Sequence, residues 1–421
     1  MNFLKKIRNF DLFALGHSAI LYYLLIFYLA PVLAFLNSSF EFRDNDYKDF
    51  LYLTLGLTFL IFGYFNGLPA KIIKKLPNFL KQEWNFSKIP WVFGAVFILS
   101  LISKIVRILE GGYFHLNQNL VFMKSSFYSA VMMLRWLDYI ALIIAFASYF
   151  YLKKSADKRF RYWRVIAYGV LLFEIVYSLP TCSKLAVIVP ILLYLIVRWY
   201  VFKPDYKVIG AAAVFIFLLF SFGSICRSPT VLNSSLVIQD NQINLPKAGD
   251  FAVKSVTNRT NQFILFNKTI ELGRSFGYNK MVENFLVTLG PPRFIWKDKP
   301  LSLNARGNEF GKAIGLVGSD DSGTSVGPTL PGDLYMNFGI FGLTIGMFLF
   351  GFLWRMIYLY FIKESGKSLS GILFYSVFWI EIIRGIEDWT APVYAGLVKL
   401  FLLLLIIHLF TYVKSVIFKN H

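Results

Sequence analysis

The amino-acid sequence predicts an all-α integral membrane protein with about ten transmembrane helices and one large, mostly helical outer loop between helices seven and eight. Three observations carry that prediction. Hydrophobic residues make up 57% of the 421 positions and charged residues only 16%, whereas soluble domains average about 45–50% and about 25%. The apolar residues gather into stretches of about 20, the number needed to cross about 30 Å of hydrocarbon. Finally, Lys and Arg concentrate in every second connection, the distribution that cytoplasmic loops show.

The predicted spans are 13–36, 50–68, 90–108, 127–152, 165–179, 185–201, 208–225, 334–362, 371–386 and 393–413. The first is too long for a signal-peptide core and has no small-residue cleavage site, so it is expected to remain as an anchor. Lys5, Lys6 and Arg8 start the chain on the inside. Basic runs follow at 71–88, 153–164, 198–207, 363–367 and 414–419, which puts both termini in the cytoplasm. On the opposite side the short loops 41–49 and 387–392 are acidic or neutral, and Asp44-Asn45-Asp46 reads as solvated surface.

The organisation is then residues 1–225 as helices one to seven, 226–333 as the outer loop, and 334–421 as helices eight to ten. A structureless connection of that length would be unusual. Its amphipathic stretches at 251–272 and 278–289 predict a small helical cap lying on the membrane. No internal repeat or low-complexity tract is visible.

The formal charge is +19, from 43 Lys and Arg against 24 Asp and Glu. In a soluble chain such an excess would suggest nucleic acid, but here most of it is topology, and no nucleic-acid partner is expected. The outer loop has twelve cations against nine carboxylates. His17, His115, His408 and His421 are scattered, and Cys182 and Cys226 form no cluster with them, so neither a metal nor a cofactor is expected. There is no phosphate-cradling glycine loop and no nucleophile elbow. Cys182 and Cys226 both fall at outer membrane ends; two unpaired thiols are expected rather than a bridge.

Charges inside spans are costly, about 2.5–3.5 kcal/mol each near the bilayer centre. Arg135 and Asp138 are three apart on a helix, as are Glu381 and Arg384, so each pair can neutralise itself. Glu174 stands alone in the fifth span. On the outer side, positive charge runs against the topology rule and calls for another reason, which an anionic ligand supplies.

The segment Pro291-Pro292-Arg293-Phe294-Ile295-Trp296-Lys297-Asp298-Lys299-Pro300, followed by Gly327-Pro328-Thr329-Leu330-Pro331-Gly332-Asp333 and the aromatic entry Leu334-Tyr335-Met336-Asn337-Phe338-Gly339-Ile340-Phe341-Gly342, resembles the Wzy-type polysaccharide repeat-unit polymerases. The resemblance implies a metal-independent glycosyltransferase of the bacterial inner membrane with its large loop in the periplasm. Its partners would be the lipid bilayer, undecaprenyl-pyrophosphate-linked glycans and a chain-length regulator protein. The growing glycan would leave its pyrophosphate carrier for a lipid-linked repeat unit, making O-antigen, capsule or exopolysaccharide. Cations would stabilise the leaving pyrophosphate; the pool for that clamp is Arg293, Arg259, Arg274, Arg306 and Arg227. Lys184 occupies a position where the family often has arginine. A carboxylate is expected to receive the acceptor's proton, with Asp333 first, then Glu309 and Asp388.

Two other readings compete. An O-antigen ligase shares this plan, but such ligases usually carry a His in the large loop, and 226–333 has none. A flippase would favour repeated halves and polar groups near the midplane; only Glu174 and the Arg135–Asp138 pair point that way.

Overall fold

In the computed structural model, each of the ten predicted segments contains helix, and the described residues show no strand other than an antiparallel pairing of Ile238–Gln239 with Gln242–Ile243. The structure describes residues 11–37, 40–44, 46–81, 84–109, 134, 136–178, 184–202, 205–226, 238–239, 242–243, 257, 260–272, 280–291, 295–300, 303–319 and 325–412. Among them, six helices are long and apolar enough to cross a membrane. These are α1 (Leu15–Leu36), α2 (Asp46–Phe65), α4 (Ile89–Leu109), α5 (Trp136–Lys154), α12 (Leu330–Lys363) and α14 (Thr390–Thr411). The short α3 (Leu68–Lys75) follows α2; α6 (Phe160–Ser178), α7 (Lys184–Val201), α8 (Tyr206–Cys226) and α13 (Leu369–Gly385) complete the bundle. Between residues 226 and 333 lie α9 (Phe263–Leu272), α10 (Met281–Leu289) and α11 (Leu303–Ala313).

Two helices form the centre. In α5 nearly every residue from Leu137 to Phe150 is buried, and α13 is buried from Leu369 to Ile382. Helices α4, α6 and α7 pack around α5, while α1, α2 and α12 form a second group that meets α7 and α5 through α13.

The α2–α12 crossing depends on two glycines in contact with backbone. A Cβ on Gly63 would lie 2.0 Å from the Phe348 carbonyl oxygen, and one on Gly351 would lie 2.2 Å from that of Leu60. Small residues let helix backbones approach closely in membranes, where dispersion takes over from the hydrophobic effect. Gly351→Val should therefore force the helices apart and cost at least the ~1–3 kcal/mol of ordinary overpacking, read as a lower unfolding midpoint of the detergent-purified protein.

Helix α1 contains a π turn at Leu25–Leu29, where the Ala30 N–H bonds the Leu25 carbonyl. By that register the Ile26 carbonyl would pair with residue 31, which is proline and has no N–H. The Gln262 N–H, just before α9, takes that carbonyl instead at 3.1 Å. The loop is thus bonded directly into the bundle rather than simply resting on a membrane surface.

A second attachment uses the start of α2. Asp46 and Asp49 are buried, not solvated as 41–49 suggests from sequence. Asn267 of α9 donates to both, at 3.0 Å to Asp46 Oδ1, and accepts from Arg43. Arg43 also bonds Glu271 at 2.7 Å, and Lys268 lies 3.2 Å from the same carboxylate. Burial pushes the Glu271 carboxyl up, but these two cations outweigh it and hold it below its ordinary value. Asn267→Leu removes the donor from two buried carboxylates, a loss of about 1–3 kcal/mol for each stranded group. Limited proteolysis should then cut the 251–325 region well before wild type is cut there; equal resistance would refute the attachment.

Glu174 is not alone. Lys104 of α4, itself buried, reaches Glu174 Oε1 of α6 at 3.0 Å and bonds Asp138 of α5. Ser100 donates to Asp138, and the Lys104 ammonium lies 5.1 Å from the Tyr177 ring centre. One cation therefore joins three helices. Arg135, expected to pair with Asp138, lies outside the described residues, as does Cys182; Cys226 ends α8, with its side chain outside them. The Glu381–Arg384 pair forms at 2.9 Å.

Candidate functional site

Two turns meet at one end of the bundle. The first is 325–329, leading into α12; the second is 386–389, between α13 and α14. Their union is backbone-specific: the Leu330 N–H bonds the Ile386 carbonyl at 2.9 Å, and Trp389 Nε1 donates to the Val326 carbonyl at 3.2 Å. Gly327 leaves room for this approach, since a Cβ there would sit 2.8 Å from the Asp388 Cα.

Thr329 is the helix cap and has φ +67°. A β-branched residue rarely adopts that conformation, and such strain costs of order 1–3 kcal/mol unless its surroundings hold it. Here Thr329 is fully buried, its carbonyl accepts the Asp333 N–H at 2.8 Å, and its Oγ1 accepts from Gly332 at 3.3 Å. The helix begins four residues before the predicted span because Thr at the cap, with Pro331 in the first turn, is a start signal that outranks the hydropathy minimum. It then breaks at Gly339, with φ 64° and ψ −150°, a region open essentially to glycine alone. Leu334 thereby folds back onto the helix beyond the break, touching the positions of Gly342 and Gly346.

That fold-back buries Asp333 and places it between α12 and α14. Its Oδ1 accepts from Asn337 Nδ2 at 2.8 Å, and its Oδ2 accepts the Thr390 N–H at 2.9 Å. Asn337 Oδ1 in turn accepts the Met281 N–H at 3.1 Å, which ties in α10. Asp333 thus closes the first turn of α14, where a helix N-terminus favours negative charge.

Asp388 is half-buried. Its Oδ1 accepts the Trp389 N–H at 2.8 Å, and no described residue donates to its Oδ2. The neighbouring Glu387 accepts from Tyr22 of α1 and, at 3.4 Å, from Gln262. Glu387 thereby ties the turn to α1 and to the residue just before α9. Arg384 pairs with Glu381 while keeping its Nε without a hydrogen-bond partner and its side chain 32% exposed.

Glu309 is exposed on α11, and the adjacent Phe310 stacks edge-on against Trp389 at 5.3 Å between centroids. Asp333 and Asp388 therefore meet at one turn, with the helix carrying Glu309 packed on it. Arg227, Arg259, Arg274 and Arg293 lie outside the described residues; Arg306 and Lys184 are placed on α11 and α7, with side chains outside them.

Residues 310–394 match the family described as "Putative O-antigen polymerase". It is the family that the motifs around Asp333 resemble. The matching segment runs from Phe310 through both turns to Tyr394, so it holds Asp333, Arg384, Glu387, Asp388 and the fold-back at Gly339. Glu309 falls one residue before it, and the six candidate cations lie outside it. No curated protein and no solved structure matches the chain.

Sequence reasoning passed over the roles of Thr329, Asn337, Tyr22 and Gln262. Thr329 and Asn337 were detectable as a cap residue and as a polar residue four beyond Asp333 on an otherwise apolar helix. Tyr22 and Gln262 left no local signal, because their partner Glu387 is distant in sequence.

Proposed function

We propose that this chain is a glycosyltransferase polymerising undecaprenyl-pyrophosphate-linked repeat units into polysaccharide at the periplasmic face of the bacterial inner membrane. The observation carrying it is that the O-antigen polymerase match covers both turns and the two carboxylates they bring together. In this reading the chain spans the membrane ten times, with both termini in the cytoplasm and 226–333 outside.

The chemistry divides between the carboxylates. Asp333 has both oxygens engaged in holding α12 to α14. Asp388 offers Oδ2, lies near the positive end of α14, and can receive the acceptor hydroxyl's proton as it attacks the anomeric carbon. The departing pyrophosphate needs positive charge aimed at its oxygens. Arg384 is the cation the structure places beside the turn, and Arg293, Arg259, Arg274, Arg306, Arg227 and Lys184 remain the pool from which the rest of the clamp is drawn. Glu309 is exposed on α11, which packs on the turn through Phe310, and there it can contact the acceptor glycan.

The test is to incubate purified protein with a defined undecaprenyl-pyrophosphate repeat unit and a chelator, then to separate the products by electrophoresis. A ladder of chain lengths is the expected result. Unreacted single units, with the native repeat unit supplied, would overturn the reading.

A further inference from the structure

Beside the carboxylate turn, α10, α12 and α14 enclose an open cavity of about 580 Å³ whose wall is almost wholly apolar. Val282 and Phe285 come from α10, Phe350 and Leu353 from α12, and Leu397 and Phe401 from α14. Its volume is within the range of about 300–1,000 Å³ typical of small-molecule sites. Two contacts give its direction. The start of α10 meets α12 through the Met281–Asn337 bond, and its end meets α14 where Lys399 donates to the Thr288 carbonyl. Helix α10 thus runs alongside the first half of α14, which is a different placement from a helix flat on the membrane.

From Thr390 to Phe401 along α14 is about 16 Å, close to half of the ~30 Å hydrocarbon thickness. The groove is thus about as long as one leaflet is thick. Beside the groove, α10 exposes Leu286, 60% accessible, as a lipid-facing surface would. At the other end, Thr390 both lines the groove and donates its N–H to Asp333. The groove is therefore continuous with the carboxylate turn.

We infer that this groove holds the hydrocarbon chain of a lipid-linked substrate, placing the head of that lipid at the Asp388–Thr390 turn. The inference rests on the polymerase reading for the identity of the head, and on the groove alone for the chain. Its length takes the part of an extended chain nearest the head, the remainder lying among the bilayer lipids. A groove for a partner's transmembrane helix would run the length of α14, and a purely structural gap would not need to open onto a turn carrying Asp388, to whose Oδ2 no described residue donates. Confining the chain holds the scissile bond near that turn and reduces the entropy lost on reaching a reactive geometry.

The test uses the full-length protein in nanodiscs and undecaprenyl pyrophosphate carrying a diazirine on its chain. Labelling is expected on peptides containing Val282, Phe285 and Leu397, and excess lipid-linked repeat unit should suppress it while phosphatidylglycerol does not. Leu353→Trp, which fills the groove, should weaken labelling about tenfold, equivalent to ~1.4 kcal/mol. Leu349→Trp, at an exposed position on the same helix outside the groove, should leave labelling unchanged. Labelling spread over the exposed helices, suppression by phosphatidylglycerol, or full labelling of Leu353→Trp would each overturn the inference. Groove labelling in a protein that makes no ladder would instead support the groove and reject the polymerase reading.

Discussion

The Asp388→Asn protein is expected to fold to the wild-type level and to make little polymer. An amide cannot take the proton from an attacking hydroxyl, and positioned general bases contribute about 10²–10⁴-fold to rate. Folding is expected to survive because Asp388 is half-exposed and its one bond, Oδ1 with the Trp389 N–H, is available to an asparagine oxygen. The contrast is Asp333→Asn. There the Thr390 and Asn337 donors address opposite oxygens of a fully buried carboxylate. Whichever way the new amide is turned, its NH₂ confronts a donor, and about 1–3 kcal/mol is lost. The two variants therefore separate the roles: Asp333→Asn lowers the unfolding midpoint and loses product with it, whereas Asp388→Asn loses product alone. Normal chain length from Asp388→Asn protein would remove it as the base.

The largest loss of stability is expected at Lys104. Replacing it with methionine leaves Asp138 and Glu174 facing each other in an apolar interior without their shared cation, and breaking a buried pair in this way costs about 3–5 kcal/mol. The cost is concentrated because Lys104 joins three helices through one buried ammonium. Adding Glu174→Gln and Asp138→Asn to Lys104→Met should recover most of the loss, since neutral groups can share hydrogen bonds without a counter-ion. Thermal unfolding in detergent reads both steps. A Lys104→Met protein as stable as wild type would show that the triad contributes nothing to the fold.

Glu174 illustrates why some of this was not legible in the sequence. A charge in a short span signals a partner, but the partner is Lys104, seventy residues earlier on another helix. Periodicity relates residues on one helix; it says nothing about which faces meet. The Glu381–Arg384 pair, three apart on α13, was legible for that reason. Asp46 shows the opposite error. Its acidic neighbourhood resembled surface, yet Asn267 comes from α9 to meet it, while Arg43, three residues before it, pairs with it.

The helices themselves were legible throughout, since the length of an apolar run and the position of its charges are one-dimensional properties of the chain. The sequence alone determined the all-helical membrane class, the helical segments, and the importance of the Gly-Pro-Thr-Leu-Pro-Gly-Asp entry to α12. Only the tertiary structure showed that both Asp333 oxygens accept hydrogen bonds linking α12 to α14, while no described residue donates to Asp388 Oδ2. It alone showed that α10 stands beside α14, and that the turn is tied to α1 through Glu387 and Tyr22. The physical reason is that burial and hydrogen-bond satisfaction depend on which backbones approach closely. At this site that approach is set by a glycine break at Gly339, a strained cap at Thr329 and an orphaned carbonyl at Ile26.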